Sequence, residues 1–176
     1  EAVPDLMALA WLHAGCDELN FPMLQARGIQ VCNIRGGNGV AIAEHAMALM
    51  LGLAKRLAQR QGLLQQAHWQ PTWDPNYIGV QLEGKTLAVI GLGMIGTGVA
   101  KRAKAFGMRV IGIRRHPERG GEHVDELFGP ERLHDALAAA DFAVIATPIT
   151  TETEGLIDAA ALACMKRSAM LINLSL

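Results

Sequence analysis

A short apolar run, Thr86-Leu87-Ala88-Val89-Ile90, passes without interruption into Gly91-Leu92-Gly93-Met94-Ile95-Gly96 and then into a segment of helical composition. The pattern G-x-G-x-x-G is weak in isolation and constraining between a strand and a helix, because each glycine meets a separate demand. Gly91 permits a tight turn, Gly93 lets the backbone approach a pyrophosphate, and Gly96 lets the helix pack close to the strand. The helix is expected from Met94 to about Phe106, with its first N–H groups aimed at the turn, where a diphosphate is held without any basic side chain. Gly107-Met108 stops it, and residues 109–113 supply the second strand of a right-handed β-α-β unit.

The end of that second strand bears on which dinucleotide the unit would take. In this arrangement a carboxylate about 20 residues past the glycines accepts hydrogen bonds from the adenosine ribose and selects NAD. Here Arg114-Arg115-His116-Pro117 occupy the place, and no carboxylate follows until Glu118. Two guanidiniums pair with a 2′-phosphate that a carboxylate would repel, so NADP is the preferred cofactor and NAD the alternative. A pair of solvated surface cations is the competing reading of the same residues.

Composition narrows the remaining classes. The chain has 176 residues, 51% hydrophobic and 19% charged, enough for one sizeable core. A formal net charge of −1, with one Tyr, three Trp and four Phe, provides neither a basic face nor a stacking platform, so a nucleic-acid partner is not expected. The most apolar stretch, residues 46–54, is too short to span a bilayer and is flanked by Glu44, His45, Lys55 and Arg56; neither a membrane segment nor a signal peptide is expected. Cys16, Cys32 and Cys164 are odd in number and scattered, which reads as reduced thiols in a cytoplasmic protein. Cys32 and Cys164, in apolar segments, are expected to be buried, and Cys16, in a glycine-containing loop, to be the reactive one. No histidine pair has metal-ligand spacing with a third carboxylate or thiol, so no metal is expected.

Along the chain, residues 6–12 read as a buried strand, 19–26 as a helix closed by Gly28, and 29–34 as another strand. Residues 40–66 read as one long helix, weakened at Gly52 and Gly62 and apolar enough to lie between two domains or two subunits. A loop with Trp69, Pro71, Trp73 and Pro75 follows. After the turn at Arg119-Gly120-Gly121 come a helix over 131–140, a strand over 142–146, a helix over 158–165 capped by Asp158, and a strand over 169–173. This alternation defines an α/β fold with a doubly wound, mostly parallel sheet, whose ligands bind where the strands end, at Gly91, Arg114, Thr147 and Asn173. The expected division is 1–36, 37–80 and 81–176. The chain opens at Glu1 without a Met and stops just past a buried-type strand, so a fragment is expected.

Several segments carry a family resemblance: Asn38-Gly39-Val40-Ala41-Ile42-Ala43-Glu44-His45, Leu82-Glu83-Gly84-Lys85-Thr86 leading into the glycine motif, Ala105-Phe106-Gly107-Met108, Thr147-Pro148-Ile149-Thr150-Thr151-Glu152-Thr153-Glu154-Gly155-Leu156-Ile157, and Met165-Lys166 with Leu171-Ile172-Asn173. In this order and spacing they resemble the D-isomer-specific 2-hydroxyacid dehydrogenases, over almost the whole chain. The resemblance implies a Rossmann-type cofactor domain preceded by the remnant of a flavodoxin-like substrate domain (1–36), a homodimer, with 37–80 joining the domains and dimerising, and hydride transfer between a nicotinamide and a small 2-keto or 2-hydroxy acid. By position it implies that Ala14, Gly15 and Cys16 hold the substrate carboxylate through backbone N–H groups. Met94 and Ile95 would then face the pyrophosphate, Arg114 the adenosine ribose, Thr147, Pro148 and Thr153 other parts of the cofactor, and Leu174 the nicotinamide through its backbone.

The departures have consequences. The substrate-binding Arg of the family falls at Leu176, and its Glu and His lie beyond the chain, so no catalytic residue is expected here and the fragment alone is expected to be inactive. Among the histidines only His13 lies near the substrate loop; His45 reads as a packing or interface residue, and His68, His116, His123 and His134 as solvated. An alternative stays open: a dinucleotide-responsive dimerising module, in the manner of corepressors that resemble this family. An adenosylhomocysteine hydrolase-like domain is disfavoured by Thr150-Thr151-Glu152-Thr153.

Overall fold

The structure, a computed structural model, describes residues 3, 5–12, 15–16, 18–34, 36–66 and 78–175. At its centre β3 (Thr86–Ile90) is buried along its entire length. Parallel neighbours lie on both sides: β4 (Arg109–Ile113) and then β5 (Glu126–Phe128) on one, β6 (Phe142–Ile145) and then β7 (Met170–Asn173) on the other, giving the order β5-β4-β3-β6-β7. In this register Ile90 stands opposite both Ile113 and Ile145, and Ile145 opposite Asn173. The strands therefore finish along one edge of the sheet.

Strands covered on both faces read as continuous apolar runs, and the two faces separate by alternation. Leu87, Val89, Val110 and Val144 face α2 (Gly39–Ala54) and α4 (Met94–Ala105). Ala88, Ile90, Ile111 and Ala143 face α5 (Leu133–Ala139) and α6 (Ala159–Cys164). Each fully buried aliphatic side chain contributes about 1.5–3 kcal/mol. Small residues set how closely the helices approach. A Cβ at Gly98 of α4 would lie 3.0 Å from that of Ala43 in α2, which is tighter than ordinary packing. The Asp158 carboxylate caps α6, accepting from the Ala161 N–H at 2.8 Å.

At the opposite edge two aspartates repeat one device. The Asp141 N–H donates to the Thr86 carbonyl at 2.8 Å while its carboxylate accepts from the Thr86 N–H at 2.9 Å. Asp125 holds Val110 in the same reciprocal way, at 2.8 and 2.7 Å. Lys166 pairs with Asp141 and Lys104 with Asp125. The Lys104 ammonium and the Val110 amide hold the Asp125 carboxyl below its ordinary range. Burial alone would raise that of Asp141, but the Thr86 amide and Lys166 outweigh it and the net displacement is downward.

The expected helix over 40–66 is two helices, α2 and α3 (Leu57–Gln65), separated at Lys55-Arg56. Gly52 and Gly62 stay within them. The break has a tertiary cause: the Ala54 carbonyl, which an unbroken helix would offer to the Ala58 amide, accepts instead from Val80 N–H at 2.8 Å. Arg56 consequently takes a left-handed conformation, φ 53°. The strand over 126–128 was not foreseen, and α5 starts only at Leu133, after a 3-10 turn at Pro130–Arg132.

Near the start, β1 (Ala8–Trp11) and β2 (Gln30–Asn33), joined through α1 (Phe21–Ala26), form a separate parallel pair. The strand expected to be buried over 6–12 is instead half-buried to exposed, with Met7 81% and Leu12 76% exposed. Leu9 and Trp11 are half-buried while Ala8 and Ala10 are exposed, so among the described residues the strand is covered on one face at most. For the same reason Cys32, on β2, is exposed rather than buried, and Cys164 is half-buried; no cysteine is joined in a disulfide. The proline- and tryptophan-bearing loop lies mostly outside the described residues. None of the described helices is long and apolar enough to cross a membrane.

Candidate cofactor-binding site

The glycine turn sits where β3 ends, and its three glycines are held for three different reasons. Gly91 has φ 96°, and a Cβ there would lie 2.8 Å from the Ala146 carbonyl oxygen, so the neighbouring strand leaves it no room. A Cβ at Gly96 would run into the Gly91 carbonyl oxygen, which fixes α4 against the turn. At Gly93, by contrast, an added Cβ would meet nothing within 4 Å. Its backbone is extended and no side chain caps α4, whose first helical bond runs from the Thr97 N–H to the Gly93 carbonyl at 2.9 Å. The helix thus presents its positive end and uncapped first-turn amides beside open space, an arrangement that suits a diphosphate.

That space is a cavity of about 520 Å³, within the size range of small-molecule sites. Ile90, Gly91, Leu92 and Gly93 form its base. Ile113, Arg114, Arg115 and His116, from the end of β4, make one wall with Pro130. Thr147, Pro148, Thr150, Glu152, Thr153 and Leu156, after β6, make the other. Arg114 donates to the Gly120 carbonyl, and Arg115 forms an ion pair with Glu152 across the cavity.

The wall after β6 is shaped from within. The Thr153 hydroxyl donates to the Pro148 carbonyl at 2.5 Å and accepts from the Thr150 N–H at 2.9 Å. The Ser175 hydroxyl donates to the Thr147 carbonyl at 2.6 Å, and the Leu174 N–H donates to Ile145 at 2.9 Å, tying the ends of β6 and β7 together.

Of the residues singled out from sequence, Gly91, Gly93, Arg114, Arg115, Thr147, Pro148 and Thr153 share this cavity. Met94, Ile95 and Gly96 form the helical turn at its rim, while Leu174 closes β7 outside the lining. Gly15 and Cys16 follow β1, where their carbonyls accept from the Trp11 indole N–H at 2.8 Å and the Leu19 N–H at 3.0 Å. Ala14, His13 and Leu176 lie outside the described residues. Sequence reasoning missed Glu152 and Thr150; His116 is exposed, as expected, and also lines the cavity beside Arg115. Adjacency to the arginine pair was the available signal for His116.

A parallel sheet with a glycine turn, an uncapped helix terminus and a cavity at the strand ends defines a Rossmann-type nucleotide-binding domain. The chain belongs to the D-isomer specific 2-hydroxyacid dehydrogenase family, whose NAD binding domain is matched by residues 47–175. It is 35% identical to glyoxylate reductase of Korarchaeum cryptofilum over 182 residues, covering 99% of this chain and 53% of that protein. D-lactate dehydrogenase from Aquifex aeolicus, solved with NAD and lactic acid, superimposes with a TM-score of 0.83 at 28% identity, covering 98% of this chain and 50% of that one. An acyclic imino acid reductase solved with NADPH and D-Arg gives 0.87 at 25% identity, covering 97% and 53%. The chain thus spans about half the length of these relatives.

Proposed function

We propose that this chain is the cofactor-holding part of a D-2-hydroxyacid dehydrogenase and that it takes NADP in preference to NAD. The observation supporting the preference is that Arg114 and Arg115 both line the cavity at the end of β4, where that strand contributes no carboxylate. The nicotinamide, when bound, supplies or accepts the hydride exchanged with a small 2-keto or 2-hydroxy acid. The diphosphate rests on the amides following Gly93, and the guanidiniums of Arg114 and Arg115 receive the 2′-phosphate, with Thr147 and Pro148 along the facing wall. Met94, Ile95, Gly96 and the backbone of Leu174 complete the contacts, and Thr153 holds the shape of its wall.

In the same reading residues 1–36 end a substrate domain whose loop Ala14-Gly15-Cys16 receives the substrate carboxylate, and 81–176 form the cofactor domain. Residues 37–80 link them and pair two copies in the cytoplasm; the exposed Val40, Leu49, Leu53, Leu57 and Leu64 of α2 and α3 support a covered face there.

A charge-assisted contact to the 2′-phosphate contributes about 1.5–3 kcal/mol, roughly 10- to 100-fold in affinity. Fluorescence titration of the chain with NADPH and NADH tests this. The expected result is tighter NADPH binding, reduced towards parity by Arg114→Ala. Equal affinities in the unaltered chain, or a preference that survives Arg114→Ala intact, overturn the reading.

A further inference from the structure

We propose that Glu152 is a specificity-determining residue of the cofactor cavity: its carboxylate holds the Arg115 guanidinium and so limits the preference for NADP that the arginine pair creates. Glu152 is the one carboxylate among the described residues lining the cavity, and it pairs with Arg115 from the opposite wall. Its place is built by the turn that carries it. The Thr150 carbonyl accepts from the N–H groups of Thr153 and Glu154 at 3.0 and 2.9 Å, and the Thr153 hydroxyl anchors the turn to Pro148.

The two arginines therefore meet a 2′-phosphate on unequal terms. Arg114 spends one donor on the Gly120 carbonyl and, with five N–H donors in its fork, keeps others for a ligand. Arg115 is already neutralised by an anion. A phosphate monoester carries roughly −1.5 to −2 charge at neutral pH, so it must either displace Glu152 from Arg115 or lie beside its carboxylate. Both work against NADP, whereas the uncharged ribose 2′-hydroxyl of NAD pays neither cost. Exposed ion pairs are weak, so the effect is modest, roughly two- to fivefold.

This inference rests on the cofactor reading above, and its test separates the two. Glu152→Gln keeps the size of the side chain and removes its charge. Calorimetric titration of the 176-residue chain with NADPH, NADH, adenosine 2′,5′-bisphosphate and 5′-AMP reads binding directly. The expected result is that NADPH and the bisphosphate bind roughly two- to fivefold more tightly to Glu152→Gln, with NADH and 5′-AMP unchanged and the gain lost in an Arg115→Ala background. An unaltered NADPH affinity overturns the proposal, as does a gain that persists without Arg115. Weakened NADH binding also overturns it, because Glu152 would then be accepting the ribose hydroxyls. A failure confined to Glu152→Gln leaves the NADP reading standing; a chain that binds none of the four ligands overturns both.

Discussion

The two edges of the five-stranded sheet follow opposite plans. Where the strands begin, the main-chain groups of Thr86 and Val110 are satisfied internally by Asp141 and Asp125, and lysines pair with both carboxylates. Where the strands end, the α4 terminus has no side-chain cap, Gly93 faces open space, and one wall bears two arginines. Buried polar groups are normally paired within the protein. One edge meets that requirement by itself, and the other leaves its polar groups open to the cavity. On the proposed cofactor reading, stability and recognition fall to different ends of the same strands.

The largest break in this division comes from Gly93→Val. Its methyl groups would enter the space proposed for the diphosphate, so dinucleotide affinity falls by on the order of 100-fold or more, with circular dichroism and melting temperature little changed. Undiminished binding in a titration would make the turn purely structural. Gly96→Ala is the converse test: the Cβ meets the Gly91 carbonyl, and overpacking of this kind costs about 1–3 kcal/mol. Chemical denaturation reads that loss directly.

At the closed edge, Asp141→Ala leaves the Thr86 amide without its acceptor and lowers unfolding free energy by about 1–3 kcal/mol, while NADPH affinity changes less than about twofold. A large loss of affinity there would contradict the separation of roles. The smallest effect is pH-dependent. Both aspartates titrate below their ordinary range in the folded chain, so the unfolded chain takes up protons first as pH falls. Their stabilising contribution is intact above the unfolded carboxylate pKa of about 3.9 and is lost as pH drops through the lower folded values. Urea midpoints measured across that window should fall less steeply for Asp141→Asn than for the unaltered chain.

Sequence reading succeeded where structure is local. The apolar run before Gly91, the glycine spacing and the Gly107 stop together placed β3, α4 and β4 within a residue or so of their observed bounds. The arginine pair was legible for the same reason, since its distance from the glycines is fixed by one helix and one strand. It failed where a distant segment decides. Nothing between residues 50 and 60 announces that Val80 will claim the Ala54 carbonyl and break the helix. β5 has only three residues and exists by pairing with β4. Likewise, Glu152 meets Arg115 only because the strand order puts β4 and β6 on either side of β3. The exposure of Cys32 follows from the narrowness of a two-stranded sheet, which composition does not reveal.

Met94, the first residue of α4, rests its side chain where a Cβ at Gly36 would stand, and Gly36 itself has φ 68°. The connection entering α2 and the turn that would seat a diphosphate thus meet at the Met94 thioether. A side chain longer than hydrogen at Gly36 would have to displace the Met94 thioether. The Met94 methyl resonance is therefore a natural reporter whose chemical shift registers both the filling of the turn and the posture of the Gly36-Gly37 connection.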